Sequence, residues 1–198
     1  MVDLKVLDFR FFSVEEEYDI ETYKDPNAWS RPYEYLYAEK MLKKHIEVGN
    51  AVHNSAWGFE GIHIDFRKKL ESRYKCIHSD IVENKFNLRT YKYNLLSEDT
   101  ALENKFHAVL NISVLEHLPN GFNGTRIAIE NLFKQVKEGG VLICTFDFPR
   151  VNLSELEKYL SKKCVDSPKR LNGNNSVVVN NKYTNLNIVA MTIKKEKT

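Results

Sequence analysis

Residues 45–81 decide the fold of this chain, and they read HIEVGNAVHNSAWGFEGIHIDFRKKLESRYKCIHSDI. The stretch divides into three short predicted strands, which span residues 46–49, 61–66 and 74–78. Glu47, Asp65 and Asp80 lie at or near the ends of these strands. Because parallel strands of an open α/β sheet end at one edge, where ligands bind, we expect the three carboxylates to converge. A nucleoside with a charged tail fits such a site.

The composition is that of an ordinary globular domain. The chain has 198 residues, of which 42% are hydrophobic and 28% are charged, so it can bury a substantial core. With 29 Lys+Arg against 27 Asp+Glu the net charge is +2, too small to mark a nucleic-acid or anionic-membrane surface. No stretch reaches the ~18 apolar residues of a membrane span, and the first residues do not resemble a secretory signal. We expect a cytoplasmic protein that binds neither membrane nor nucleic acid.

Cysteine and histidine spacing argues against a disulfide framework and against a metal site. The three cysteines are scattered, and none belongs to a Cys-x-x-Cys pair. Four histidines outside the candidate site also lack the spacing of metal ligands; they are His45, His63, His78 and His107. We therefore predict no metal site.

The rest of the chain alternates between strand and helix patterns. Residues 1–29 are predicted to form an N-terminal arm that begins with a strand over 4–12, and residues 30–198 a single domain. Apolar residues 129, 132, 133 and 136 repeat with helical spacing between buried strands at 106–112 and 141–148. Such a unit joins parallel neighbours. Two final strands, at 176–179 and 186–193, suggest an antiparallel hairpin. The predicted class is α/β.

Placed in order, these segments resemble the class I S-adenosylmethionine-dependent methyltransferases over roughly residues 30–195. The resemblance implies a Rossmann-like three-layer sandwich with a seven-stranded, mostly parallel sheet and an antiparallel C-terminal hairpin strand. The family's first strand ends in an acid-x-Gly-x-Gly loop, which resembles residues 47–51, EVGNA, with Ala51 in place of the second glycine. KEGGVLICTF resembles the family's turn and fifth strand. SRPYEY is similar to a segment of methyltransferases from sugar and surface-polymer pathways.

The resemblance also implies a role for each candidate residue. Asp65 would accept hydrogen bonds from the ribose hydroxyls, for which an ionised carboxylate is suited. Asp80 and the backbone N–H of Ile81 would contact the adenine. Asn111 and Ser113, in VLNISVLEHL, would border the methionine moiety. The implied cofactor-binding set is Glu47, Gly49, Asn50, Ala51, Asp65, Asp80, Ile81, Asn111 and Ser113.

Several of these residues have a purely structural interpretation as well. Asp65 and Asp80 could each cap a following helix. Glu47 is harder to explain in this way, because a buried carboxylate without a partner is costly. His117 could be a general base, although a packed histidine bonded to a carbonyl is the commoner case. The same two interpretations apply to His53, which falls in a predicted loop.

The expected function is methyl transfer from S-adenosylmethionine to an oxygen or nitrogen of a small-molecule acceptor, with sugar derivatives as one candidate. A non-catalytic methyltransferase-like scaffold is the alternative. It is motivated by Ala51, by a count of only 8 glycines, and by a first crossover helix expected to be short or absent. That expectation comes from the 65 − 49 = 16 residues between Gly49 and Asp65. A nicotinamide-dependent oxidoreductase ranks lower, because Gly-x-Gly-x-x-Gly is missing.

Overall fold

The computed structural model describes residues 4–11, 30–55, 61–82, 88–166, 177–179 and 183–197. The helices among them are α1 (Arg31–His45), α2 (Gly61–Glu71), α3 (Phe122–Gln135) and α4 (Leu153–Lys163), with short 3-10 helices at Thr100–Leu102 and Leu115–His117. The strands are β1 (Leu4–Phe11), β2 (Ala51–Ser55), β3 (Lys75–Asp80), β4 (Tyr91–Lys92), β5 (Phe106–Ile112), β6 (Val136–Phe148), β7 (Cys164–Asp166), β8 (Val177–Val179) and β9 (Tyr183–Lys195).

The strands form one mixed sheet in the order β4-β3-β2-β5-β6-β9-β1-β7, with β8 paired to β9. Neighbours from β4 to β6 pair in parallel, whereas β9 runs antiparallel to β6 and to β1. Seven of these strands, β2 to β7 and β9, correspond to the predicted seven-stranded, mostly parallel sheet. Strand β9 is its antiparallel C-terminal strand. The Rossmann-like α/β class is therefore confirmed. Within this set, β1 is inserted between β9 and β7.

Helices cover both faces of the sheet. Helices α1 and α2 pack on one face, where Tyr35 and Phe66 stack with ring centroids 4.1 Å apart. Helices α3 and α4 pack on the other face and contribute Leu132 and Leu156 to a second core. Because both faces are covered, the central strand β5 is buried along almost its whole length.

The first core strand begins later than predicted. Residues 46–49 form a turn instead of a strand, and β2 starts at Ala51. Gly49 adopts a φ of +86° and donates its N–H to the carbonyl oxygen of Arg73 at 2.7 Å, which ends any extended run there. The true strand was missed because His53 and Asn54 occupy two of its buried positions. Polar residues at core positions hide the usual apolar signal.

The second predicted strand, 61–66, is also wrong, because these residues begin helix α2. The alternating pattern of GIHIDF imitates a strand, but Phe66 and Leu70 are both buried at i,i+4 spacing, as on a helix face. The 11-residue helix α2 is the crossover from β2 to β3, so the expectation of a short or absent first crossover is wrong. The third predicted strand, 74–78, corresponds to β3.

Part of the predicted N-terminal arm lies in the sheet. Strand β1 pairs with β9 on one side and with β7 on the other. The hydroxyl of buried Tyr37 donates to Asp8 Oδ2 at 3.1 Å and lies 2.8 Å from Thr192 Oγ1, which ties β1 to α1 and β9. Residues 12–29 of that arm lie outside the described residues.

Candidate functional site

The strand order creates a topological switch point between β2 and β5. From β2 the chain moves outward to β3 and β4, and after β4 it continues on the opposite side with β5 and β6. Ligands of open α/β sheets bind in the crevice outside the carboxyl ends of the strands at such a point. Ser55, the last residue of β2, pairs in register with Asn111 of β5. These two residues therefore flank the expected crevice.

Buried polar atoms at the switch point lack partners. Ser55 is 1% exposed and Asn111 is 0% exposed. Among the described residues, Ser55 Oγ and both polar side-chain atoms of Asn111 make no hydrogen bond. Leaving such groups unpaired costs about 1–3 kcal/mol each. A polar ligand in the crevice would satisfy them. The loop that follows β2, residues 56–60, lies outside the described residues.

Asp80 provides a carboxylate at the same edge. It ends β3, one residue beyond Ser79, which pairs in register with Ser55. Its Oδ1 accepts the N–H of Val82 at 3.2 Å, and its carbonyl oxygen accepts the N–H of Tyr93 at 3.0 Å. The side chain is thus held at the end of its strand, next to the switch point.

A fully buried glutamate forms the wall on the α1 side. Glu34 Oε2 accepts hydrogen bonds from Ser30 Oγ at 2.9 Å and from Arg31 Nη1 at 2.7 Å. Its Oε1 accepts a bond from Thr145 Oγ1 of β6 at 2.7 Å. These bonds fix the start of α1 onto the carboxyl end of β6. The charge of Glu34 is compensated by Arg31.

A second buried glutamate follows β5. Ser113 takes a positive φ of 53° and donates its N–H to the Thr145 carbonyl oxygen at 2.8 Å, which turns the chain into a 3-10 helix. Ser113 Oγ then donates to Glu116 Oε1 at 2.8 Å. Burial, aided by the negative charges of Glu34 and Asp147, raises the pKa of Glu116 to about 8. At neutral pH this carboxyl is therefore mostly protonated.

Asp147, near the end of β6, completes a group of three carboxyl side chains. Burial and Glu34 raise the pKa of Asp147 to about 6, although Arg31 and Arg150 oppose the change. Within the described part of the chain, Asp147 Oδ1 and Glu116 Oε2 have no hydrogen-bond partner. Carboxyls with raised pKa values in a crevice are typical of functional sites.

Four predicted cofactor residues lie at the amino end of β2, at the edge of the sheet opposite Asp80. Glu47, Gly49, Asn50 and Ala51 come before or at the start of β2, so they lie at its amino end. Glu47 is exposed in a turn, and Ala51 donates its N–H to His107 Nδ1 at 3.2 Å. The expectation that Glu47 shares an edge with Asp80 is therefore wrong. The error follows directly from the misplaced first strand.

The predicted position of Asp65 at the end of a strand is also wrong, because Asp65 is an exposed residue of helix α2. Asp80, Ile81, Asn111 and Ser113 do lie together at the carboxyl edge. Ile81 is 57% exposed there. Their binding roles stay predictions.

The two histidines occupy different environments. His117 lies at the carboxyl edge with its side chain 55% exposed, 3.9 Å from Glu116 Oε1 and 3.4 Å from Arg150 Nη1. Burial and nearby arginines lower the pKa of His117. His53, predicted to be in a loop, is instead buried in β2 and bonded to Gln135 and Ser79. It is a core residue.

Sequence reasoning did not assign a role to several residues of this site. Ser55 was overlooked because β2 itself was not recognised. Glu34 belongs to SRPYEY and Glu116 precedes His117, so both stood in segments already singled out. Neither segment reveals that its carboxylate is buried, because burial depends on contacts with β6.

The described residues provide neither a metal-ion cluster nor a helix that could span a membrane. Among the described residues, no group of three or more His, Cys, Asp or Glu side chains could hold a metal ion. The described helices include none that is long and apolar enough to cross a bilayer.

Comparison with known proteins gives matches in structure only. No family model matches the sequence, and no curated protein matches it. The structure is similar to that of a 1,6-didemethyltoxoflavin-N1-methyltransferase from Burkholderia thailandensis, solved with 1,6-didemethyltoxoflavin and S-adenosylhomocysteine. The two share 17% identity over 90% of this chain and 85% of the other, with a TM-score of 0.58.

Two further solved structures are also similar in fold to this chain at low sequence identity. One is an S-adenosylmethionine-dependent methyltransferase from Clostridium acetobutylicum (12% identity, 90% of this chain and 95% of the other, TM-score 0.57). Another such enzyme, from Corynebacterium glutamicum, matches at 11% identity over 86% of this chain and 98% of the other, with a TM-score of 0.56. At these identities the likeness establishes a shared fold.

Proposed function

We propose that this chain, which has the fold of the class I S-adenosylmethionine-dependent methyltransferases, binds S-adenosylmethionine and methylates an oxygen or nitrogen of a small molecule. The observation that carries the proposal is a pair of buried polar residues at the switch point between β2 and β5. There, buried Ser55 and Asn111 present polar atoms that no other described residue satisfies. A polar ligand at this position removes that energetic cost.

The described residues fit the cofactor at the carboxyl edge. Asp80 ends β3, which is the second strand of the parallel core. We therefore assign to it the ribose-binding role that the resemblance had given to Asp65. Asn111 and Ser113 keep their predicted place beside the methionine moiety. When bound, the cofactor supplies an electrophilic methyl group on a positively charged sulfur.

The protein contributes alignment, exclusion of water and a place for a proton. On the acceptor side, Glu116 and Asp147 offer carboxyl oxygens without partners among the described residues. Such oxygens accept hydrogen bonds from hydroxyl or amino groups. This chemistry favours an acceptor that is rich in hydrogen-bond donors, which includes sugar derivatives.

Two of the three observations that motivated the scaffold alternative do not hold in the structure. Ala51 lies at the start of β2 and not in the loop after it, and the first crossover is the 11-residue helix α2. The low glycine count alone does not distinguish a scaffold from an enzyme.

Calorimetric titration with S-adenosylhomocysteine tests the proposal, with adenosine monophosphate as the control ligand. We expect saturable binding of the thioether and much weaker binding of the nucleotide. A thermal-shift measurement should agree, because ligand at ~100 times its dissociation constant adds about 2.7 kcal/mol of stability. A chain that shows neither heat nor thermal shift with S-adenosylhomocysteine would contradict cofactor binding.

A further inference from the structure

Glu116 is the carboxyl group at the site whose burial and bonding are the most unusual. Its side chain is 0% exposed. One oxygen is held by Ser113 Oγ at 2.8 Å. The other, Oε2, has no partner in the described part of the chain and is buried. A carboxyl group anchored by one oxygen, with the second unused, is arranged to exchange a proton.

The charged groups around Glu116 come from three directions. Glu34 of α1 and Asp147 of β6 act on it as negative charges, and each disfavours its ionised form. His117, the next residue, lies 3.9 Å from Oε1. Arg31 and Arg150 are positive, but they act on Asp147 and His117. Arg31 is bonded to Glu34. Among the described residues, Glu116 therefore faces two carboxylates and has no arginine or lysine bonded to it.

We propose that Glu116 receives the proton of the acceptor, and that it gives up its own proton when the positively charged cofactor binds. This inference rests on the proposed function. An acceptor O–H or N–H bond breaks and its proton moves to Glu116 Oε2. A bond forms between the acceptor atom and the methyl carbon. The carbon–sulfur bond breaks with its electron pair left on sulfur, which becomes a neutral thioether.

The order of events follows from electrostatics. Before cofactor binding, burial and the neighbouring carboxylates keep Glu116 protonated at neutral pH. A positive charge within a few ångströms favours the carboxylate form. Glu116 is bonded to Ser113, which the proposed function puts beside the methionine moiety, so Glu116 would become a base when the positively charged cofactor is bound. The product S-adenosylhomocysteine has lost that positive charge, so Glu116 would keep the proton that it has accepted.

The test compares the positively charged cofactor with its neutral product. Binding is measured by calorimetry at pH 7.5 in phosphate and in Tris, whose different ionisation enthalpies reveal protons released on binding. We expect S-adenosylmethionine to release roughly half a proton more than S-adenosylhomocysteine. The difference should vanish in Glu116→Gln, which keeps the side-chain size and the Ser113 bond. It should persist in His117→Gln, the matched control for the other titratable group nearby.

Each outcome has a distinct meaning. An equal proton release for both ligands in the native chain overturns the inference, as does a difference that survives in E116Q or disappears in H117Q. If neither ligand binds, the proposed function itself fails. Should E116Q not bind S-adenosylhomocysteine, infrared difference spectra of the native chain decide. The carbonyl band of a buried, protonated carboxyl must disappear with S-adenosylmethionine and stay with S-adenosylhomocysteine; a band that stays with both overturns the inference.

Discussion

Ser55 and Asn111 are register partners on β2 and β5, and both are buried with polar atoms that no described residue satisfies. The pair lies between β2 and β5, where the order of the strands changes direction. The local cost in stability is the expected sign of a binding site.

Truncating Asn111 should separate binding from stability. Asn111→Ala removes buried polar atoms that no described residue satisfies and leaves a small cavity, so we expect the free energy of unfolding to stay constant or to rise by up to about 1–3 kcal/mol. The affinity for S-adenosylhomocysteine should fall. Urea unfolding and calorimetric titration measure the two effects.

Asn131 is the matched control for this prediction. It is also buried, but its Nδ2 donates to the carbonyl oxygen of Leu95 at 2.9 Å. Asn131→Ala should lower the free energy of unfolding by about 1–2 kcal/mol and leave the affinity unchanged. The opposite pattern would refute our view of the crevice.

Substitution of two aspartates tests which of them binds the ribose. The proposed function assigns this role to Asp80, whereas the sequence resemblance assigned it to Asp65. Asp80→Asn should weaken S-adenosylhomocysteine binding by about 10- to 100-fold, because a charge-assisted hydrogen bond becomes a neutral one. Asp65→Asn, an identical change on the exposed face of α2, should have no effect. Equal affinities of the two variants would show that Asp80 does not bind the ribose.

The stability of the chain should depend on Glu116 between about pH 4.5 and pH 8. Burial raises its pKa from 4.5 to about 8. The folded state therefore holds a proton that the unfolded state has lost, and stability declines as the pH rises from about 4.5 through 8. The full effect is on the order of 4 kcal/mol. Chemical unfolding of Glu116→Gln at pH 6 and pH 9 should show a much smaller decline than the native chain.

Glu155→Gln provides the comparison, since Glu155 is exposed on α4. It should keep the native decline in stability with pH. If E116Q and E155Q lose stability equally between pH 6 and pH 9, the protonated state assigned to Glu116 is wrong.

At acidic pH, two buried histidines should lower the stability of the chain: His78, whose pKa burial lowers to about 3, and His53. Burial lowers the pKa of His53 from 6.5 to about 4, despite the bond to Gln135. Its Nδ1 lies 2.5 Å from Gln135 Oε1 and its Nε2 lies 2.7 Å from Ser79 Oγ, so the ring is held neutral in the core. The unfolded chain takes up the proton first, and stability is lost as the pH falls from about 6.5 to 4.

The loss is on the order of 3 kcal/mol. His53→Gln should remove this contribution and leave that of His78, so unfolding at pH 7 and pH 4.5 should show a smaller loss than in the native chain. His117→Gln should retain the full loss, since that side chain is 55% exposed. An unchanged acid dependence in H53Q would mean that His53 does not control it.

The local pattern was sufficient for the class of fold and for some of its elements. The apolar run 106–112 corresponds to β5, the spacing of Ile129, Leu132 and Phe133 corresponds to α3, and the Asn-rich connection near 180 separates β8 from β9. In each case the side chains that pack are themselves apolar and periodic. Such signals reside in neighbouring residues and need no knowledge of distant ones.

The residues of the site were harder to predict, because strand β2 carries the polar residues His53 and Asn54 at buried positions. The pattern of 45–81 led to a strand at 46–49 and another at 61–66. In fact His53 is buried against Gln135, 82 positions away. Only the tertiary contact makes that residue a core residue. Because the first strand begins at Ala51, Glu47 lies at the opposite edge of the sheet, and Asp65 lies on α2 instead of at a strand end.

By itself, the sequence determined a globular α/β chain with alternating helices and strands and a C-terminal antiparallel strand, since apolar periodicity is a local property. Only the tertiary structure decided which acids meet. Glu34, Glu116 and Asp147 belong to segments far apart in the chain. At the end of β6, burial and the negative charge of Glu34 together raise the pKa values of Glu116 and Asp147.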